Sequence, residues 1–218
     1  GSFKSLLGNG TFWLMALLMF CAGASELCIS QWASGFAESG LNVTKAVGDI
    51  AGPCLFAFLM GISRLLFAKL SDKIKIEYIL TCSCLLCAAG YLLIALSPDA
   101  VGALVGCGLC GLSVGALWPG TFSMSAAGIK GGGTMMFALL ALAGDVGCTT
   151  GPTLVGLVTD ALDGSLQTGL SFGIIFPLLM TIGLIVVAVR RNKSKKLDVS
   201  LSQPREKERE KDDSERSQ

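Results

Sequence analysis

Apolar residues along this chain come in long unbroken blocks and do not alternate with polar ones. Six blocks reach the roughly 20 residues a helix needs to cross about 30 Å of hydrocarbon. They are Thr11–Ser34, Val47–Lys69, Ile76–Leu96, Ala100–Ala126, Thr134–Val158 and Gly169–Val189. Short polar breaks separate them: Glu38 to Thr44, Ser71 to Lys75, Ser97-Pro98-Asp99, Gly128 to Gly133, and Asp160 to Gln167. A transmembrane β-barrel is excluded, because its strands alternate lipid-facing apolar with lumen-facing polar residues. The pattern predicts an all-α membrane protein, a six-transmembrane-helix bundle over 11–190, with a short segment, 1–10, before it. The charged stretch 191–218 follows; from Ser194 onward it is rich in Ser and charge. That stretch has too little apolar surface to offset ordering entropy and is expected to be disordered.

Composition agrees with the bilayer reading. Of 218 residues, 52% are hydrophobic in type and 15% charged, against about 25% charged in an ordinary soluble domain. The placement of the cations then orients the chain. Lys4, Lys69, Lys73, Lys75, Lys130, Arg190, Arg191, Lys193, Lys195 and Lys196 fall on one side of the six spans, and Lys45 on the other. The Lys/Arg-rich side is the cytoplasmic one, which puts both termini inside a multi-pass protein expected in the plasma membrane. The run Arg190–Lys196 serves that bias as an anchor. A glycosylation sequon, Asn42-Val43-Thr44, falls on the outer side. The chain opens Gly1-Ser2 without an initiator Met or a signal-peptide pattern, which reads as a fragment, a processed product or a truncated gene model.

Several functions are excluded by what is missing. There is no His, hence no imidazole ligand, base or pH switch. The nine Cys lie almost entirely inside apolar runs. Cys82, Cys84 and Cys87, and Cys107 with Cys110, have metal-like spacing, but zinc would need thiolates and a polar outer shell in hydrocarbon; no metal or cofactor is expected. No basic stripe interleaved with aromatics suggests nucleic acid. No nucleophile–base set or pair of acids suggests an enzyme.

The remaining chemistry is sparse. Glu26 lies near the middle of the first span and Asp145 near the middle of the fifth. A carboxylate at that depth costs roughly 2.5–3.5 kcal/mol on insertion scales, so it faces a cavity or a partner. Each acid has two readings, a substrate or proton site and a structural acid tethering two helices. Gln31 and Trp32, and Trp118 in the fourth span, supply amide and aromatic surface of the kind that binds hydroxylated solutes. Trp32 also fits an interfacial aromatic belt. Pro119 removes the amide that would bond to the carbonyl of Gly115, predicting a kink in the fourth span. Gly102/Gly106, Gly111/Gly115 and Gly147/Gly151, the last followed by Pro152, each form a G-x-x-x-G suited to close helix approach.

The connection between the second and third spans reads Gly61-Ile-Ser-Arg64-Leu-Leu-Phe-Ala68-Lys69-Leu70-Ser71-Asp72-Lys73. It resembles the loop motif of the major facilitator superfamily, G-x-x-x-D-[RK]-x-G-[RK] with an upstream Arg, and departs from it where Ile74-Lys75 replaces the downstream glycine. The resemblance implies a half of that fold, two inverted three-helix repeats, with Arg64, Lys69, Asp72 and Lys73 acting as a latch between conformations. The stretches Gly23-Ala24-Ser25-Glu26…Gln31-Trp32, Gly111…Gly115-Ala-Leu-Trp118-Pro119 and Gly144-Asp145…Gly151-Pro152 resemble the seventh, tenth and eleventh helices of the fucose-permease-like branch. On that resemblance the chain is the C-terminal half of a sugar:proton symporter, with Glu26, Gln31, Trp32, Trp118 and Asp145 beside the substrate. Its partners would then be a small solute, a proton, the bilayer, and either an N-terminal six-helix half or a second half-length chain. The competing expectations are a non-transporting sensor or partner subunit, and a multidrug or metabolite exporter.

Overall fold

A computed structural model describes residues 3–41, 44–129, 131–162 and 166–193. Asn42 of the sequon, Lys130, and the tail from Ser194 lie outside the described residues. The chain divides into a compact unit, Gly1–Leu184, and a second, Ile185–Gln218, helical through Lys193.

Among the described residues there are six helices long and apolar enough to cross a membrane: Gly10–Gly35, Lys45–Leu70, Ile76–Leu96, Val101–Gly128, Gly133–Ala161 and Gln167–Lys193. Each overlaps one apolar block and extends it by at most a few residues. The first and fourth are the interior spans, 61% and 67% buried, while the second and fifth are 22% buried. A short helix, Phe3–Leu7, precedes the first span and is tied to it by Trp13, whose Nε1 donates to the Leu7 carbonyl at 2.8 Å.

Two structural features lay outside the sequence reading. The stretch after the first span is not an open loop: helix Ala33–Leu41 fills much of it. Its packing explains this. A Cβ at Gly48 would sit 2.8 Å from the Cβ of Glu38, and one at Gly52 would strike the Ala33 carbonyl, so the helix that follows the first span and the N-terminal part of the second span are in backbone contact. Ser34 also donates a short hydrogen bond to Asp49. The second feature is a break in the first span itself, where the helix Gly10–Ser30 ends and a turn at Gln31-Trp32 precedes the next helix.

The fourth span is also in two pieces, Ala100–Val114 and Leu117–Gly128, with a turn at Gly115-Ala116. Pro119 cannot donate to the Gly115 carbonyl, which interrupts the ladder there, while Gly115 and Ala116 keep right-handed helical angles. The Ser113 hydroxyl donates to the Cys110 carbonyl at 2.7 Å, within the last turn of the first piece. The sixth span follows the same rule. Helix Leu166–Gly173 stops at a turn on Ile174, and Pro177 stands four residues past Gly173.

Glycine contacts set the spacing of the interior helices. The first span lies on the fifth through Gly23, Gly144, Gly147 and Gly151. A Cβ at Gly151 would sit 2.9 Å from the Cβ of Ala24 and from the Sγ of Cys28, and one at Gly147 would collide with the Phe20 carbonyl. Gly111 and Gly115 bring the fourth span against the backbone of Phe56 and Met60 in the second. Small residues at such crossings let backbones approach where no hydrophobic driving force separates helix from lipid. Large apolar side chains such as Phe58, Leu65, Leu96 and Leu157 are exposed, as suits a surface solvated by acyl chains.

Candidate functional site

The first span carries the centre of the site. Leu18, Met19, Ala22, Ala24, Cys28 and Ile29 are fully buried along it, which fixes its rotation. Glu26 is half-buried, one turn past Ala22 and two turns past Met19 on the same side of the helix. Behind it, Tyr91 of the third span is wholly buried and donates its hydroxyl to the Ser25 carbonyl at 3.0 Å. Gly173 of the sixth span leaves room for the Tyr91 ring. The backbone just before Glu26 is thus held from the third span.

Trp118 faces Glu26 from the fourth span. Its indole N–H interacts with the carboxylate but falls short of a full hydrogen bond, so that Nε1 is buried without a partner in proper geometry. The ring lies over Gly144, where a Cβ would come within 2.5 Å of it. Edge-to-face contacts then run from Trp118 to Phe122 at 6.3 Å and from Phe122 to Phe137 at 5.7 Å between ring centroids. Arg64 of the second span lies within electrostatic reach of Glu26, its guanidinium turned up its own helix to 3.8 Å from the Met60 sulfur. Cys148 lies within reach of both Glu26 and Asp145.

Asp145 itself is exposed, one of three polar residues a turn apart on the fifth span. The Thr149 hydroxyl donates to the Asp145 carbonyl at 3.0 Å, and that of Thr153 to the Thr149 carbonyl at 2.8 Å. Both hydroxyls are exposed and keep lone pairs free to accept. Ser25 adds another group, with Oγ buried and unpartnered beside Glu26.

The structure therefore brings together Glu26, Trp118 and Arg64, with Asp145 linked through Cys148. Gln31 and Trp32 stand apart from them at the helix break, about 7–9 Å further along at 1.5 Å per residue; Gln31 is exposed, and the buried Nε1 of Trp32 is unpartnered. Gly23 is not where the first span bends, because it is pressed against Gly144. Gly111, Gly115, Gly147 and Gly151 are buried at crossings, and Pro152 continues its helix without breaking it. The loop residues behave differently from Arg64. Lys69, Asp72 and Lys73 are exposed, and an ion pair, Lys45–Asp49 at 3.4 Å, lies at the other end of the second span. Ala68 is also exposed, and nothing lies within 4 Å of a Cβ at Gly61. The face Gly61–Arg64–Ala68 is thus half-buried at Gly61 and exposed at Arg64 and Ala68.

Sequence reasoning grouped Arg64 with the loop and missed it as a neighbour of Glu26. Its position six residues inside the end of the span was the available signal, since a cation there needs a partner. Thr149 and Thr153, spaced four and eight residues beyond Asp145, were a readable stripe as well.

Six apolar helices carrying a charged cluster at mid-span define an integral, multi-pass membrane protein. Residues 1–152 match the family model of the Major Facilitator Superfamily, and the chain belongs to that family, one of transporters and not of enzymes. The fold is similar to a crystal structure of the peptide transporter POT in complex with sulfate, with a TM-score of 0.69 at 16% identity. The match covers 81% of this chain and 37% of that one, so the chain spans well under half the length of that transporter. No curated protein matched the sequence.

Proposed function

We propose that the chain is the C-terminal six-helix half of a secondary transporter that carries a small polar solute, a sugar, by alternating access with proton coupling. The observation that carries this reading is the group Glu26, Arg64, Trp118 and Asp145: a polar cluster within the spans, exposed at Arg64 and Asp145 and half-buried at Glu26 and Trp118. In lipid such a cluster is costly, and beside a second six-helix bundle it lines a cavity. Gly61 and Ala68 on the second span support the same partner, because small residues let a facing helix approach closely, and Arg64 between them offers it a charge. Trp118 offers a ring face to a sugar, and Glu26, Asp145 and the threonines accept from its hydroxyls. Fucose-permease-like patterns in three spans support the branch, and the charged tail supports the C-terminal half.

The test is uptake into proteoliposomes by the transporter containing this half, under an imposed proton gradient, across sugars, nucleosides and drugs. A sugar is expected to accumulate. In the same assay Asp72→Asn is expected to slow uptake without raising the half-saturating concentration, because a latch sets conformational populations and not site contacts. If no solute moves, the sensor or partner-subunit reading replaces this one; if only drugs move, the exporter does.

The orientation follows from the cation bias. Cysteine placed at Ser71 is expected to resist an impermeant thiol reagent in sealed right-side-out cells, and cysteine at Pro98 to react. The reverse labelling pattern would invert the topology.

A further inference from the structure

A groove of about 320 Å³ runs between the second, third and fourth spans, away from the Glu26 cluster. Leu66, Leu70 and Ile74 form one wall, Tyr78 and Cys82 the other, and Leu112 lies at its base. Its lining is almost wholly apolar, which suits hydrocarbon and not a polar solute. Its mouth is the loop Ser71–Lys75, and there the chemistry changes. Lys73 and Lys75 flank Ile74, both exposed, and the Lys75 ammonium lies 6.0 Å from the centroid of the Tyr78 ring. Lys69 is exposed one residue before Leu70. The carboxylates nearby are Asp72, which is exposed, and Glu77, which has its own interactions within the fold.

We propose that this groove is a binding site for one anionic phospholipid, with an acyl chain lying along Leu66–Ile74 and the phosphate held by Lys73 and Lys75. The two parts of the site match the two parts of such a molecule. Spans on two sides and a third at the base hold the chain more completely than a convex helix surface does. Lys73 and Lys75 flank Ile74, which lines the groove, and the Lys75 ammonium stands near the ring of Tyr78, which lines it too; lysines at a membrane surface attract anionic lipid additively. The Tyr78 ring, 63% exposed, lies where chain and headgroup meet, the depth aromatic residues favour. None of this depends on what the protein transports.

The test is native mass spectrometry of the purified protein in detergent, titrated with an equimolar mixture of phosphatidylglycerol, phosphatidylethanolamine and phosphatidylcholine bearing identical chains. Phosphatidylglycerol is expected to be retained over the other two. The exposed-loop double variant Lys73→Gln/Lys75→Gln is expected to lose roughly tenfold in that retention, and Ser83→Trp, which fills the groove, to lower retention of all three lipids. Should the double variant fold poorly, the parent supplies the same information: rising salt is expected to weaken phosphatidylglycerol and leave phosphatidylcholine unchanged. Equal retention of the three lipids, or phosphatidylglycerol retention indifferent to both lysines and salt, would overturn the proposal. So would displacement of the lipid by inorganic phosphate, which would make the mouth a simple anion site.

Discussion

Gly147→Ala is expected to destabilise the folded protein by about 1–3 kcal/mol, and Gly147→Leu by more, because extra atoms here meet backbone and not a movable side chain. The neighbour is the Phe20 peptide, whose Cα would lie 3.0 Å from the new Cβ and whose carbonyl oxygen would be closer still. No rotamer change relieves that contact; the first and fifth spans would have to separate. Separation would also undo the contacts at Gly23 and Gly151 on either side, since the three glycines form one crossing. A helix pair in lipid has packing and little else to hold it together, so lost contact is not offset by hydrophobic pressure. The matched control is Gly156→Ala on the same helix, where nothing lies within 4 Å of a Cβ. That change should be neutral or slightly stabilising, since alanine is the better helix former. Thermal unfolding in detergent measures both. Equal effects at the two glycines would show that helix propensity and not the crossing governs stability here.

Glu26→Gln is expected to abolish uphill accumulation of substrate while leaving counterflow exchange in place. The amide keeps the size of the side chain and much of its hydrogen bonding but exchanges no proton. Counterflow needs binding and the conformational change alone; accumulation also needs the driving ion. Arg64 sharpens the expectation. Once the carboxylate charge is gone, the guanidinium stands without its counter-charge, so an anionic inhibitor should bind the variant more tightly than the parent. Trp118 still faces an acceptor, the amide oxygen, and keeps its place on Gly144, so the architecture should survive. If accumulation and counterflow fall together, Glu26 holds substrate and carries no proton. If neither changes, Glu26 is a tether between helices and the site lies elsewhere.

The spans were legible because a helix in lipid must be apolar for its whole length, a constraint that leaves a continuous trace in the residues. Ile76–Leu96 was read to the residue on that ground. Helix Ala33–Leu41 left no such trace, as it contains Glu38 and several small residues and owes its order to Gly48 and Gly52 on a neighbouring span. The site was legible by residue type and not by grouping. A lone acid or a deep tryptophan is visible in a sequence, but which ones meet depends on helix rotation and crossing. Arg64 illustrates this, being 38 positions from Glu26 yet its nearest cation. The break at Gln31-Trp32 was equally hidden, because no proline marks it.

The interrupted fourth span has an electrical consequence. A continuous membrane helix keeps the ends of its dipole at the two interfaces, where water screens them. Here the helix Ala100–Val114 ends, and Leu117–Gly128 begins, inside the hydrocarbon zone. Gly115 and Ala116 keep right-handed helical angles, φ −57°, ψ −29° and φ −85°, ψ −18°, so the two opposed dipole ends lie side by side and nearly cancel. What Pro119 removes is one amide, and with it the ladder partner of the Gly115 carbonyl. The partial negative charge on that oxygen cannot be titrated away. A hydrogen-bond donor, and not an anion, is what it attracts, at a depth set by the position of one proline.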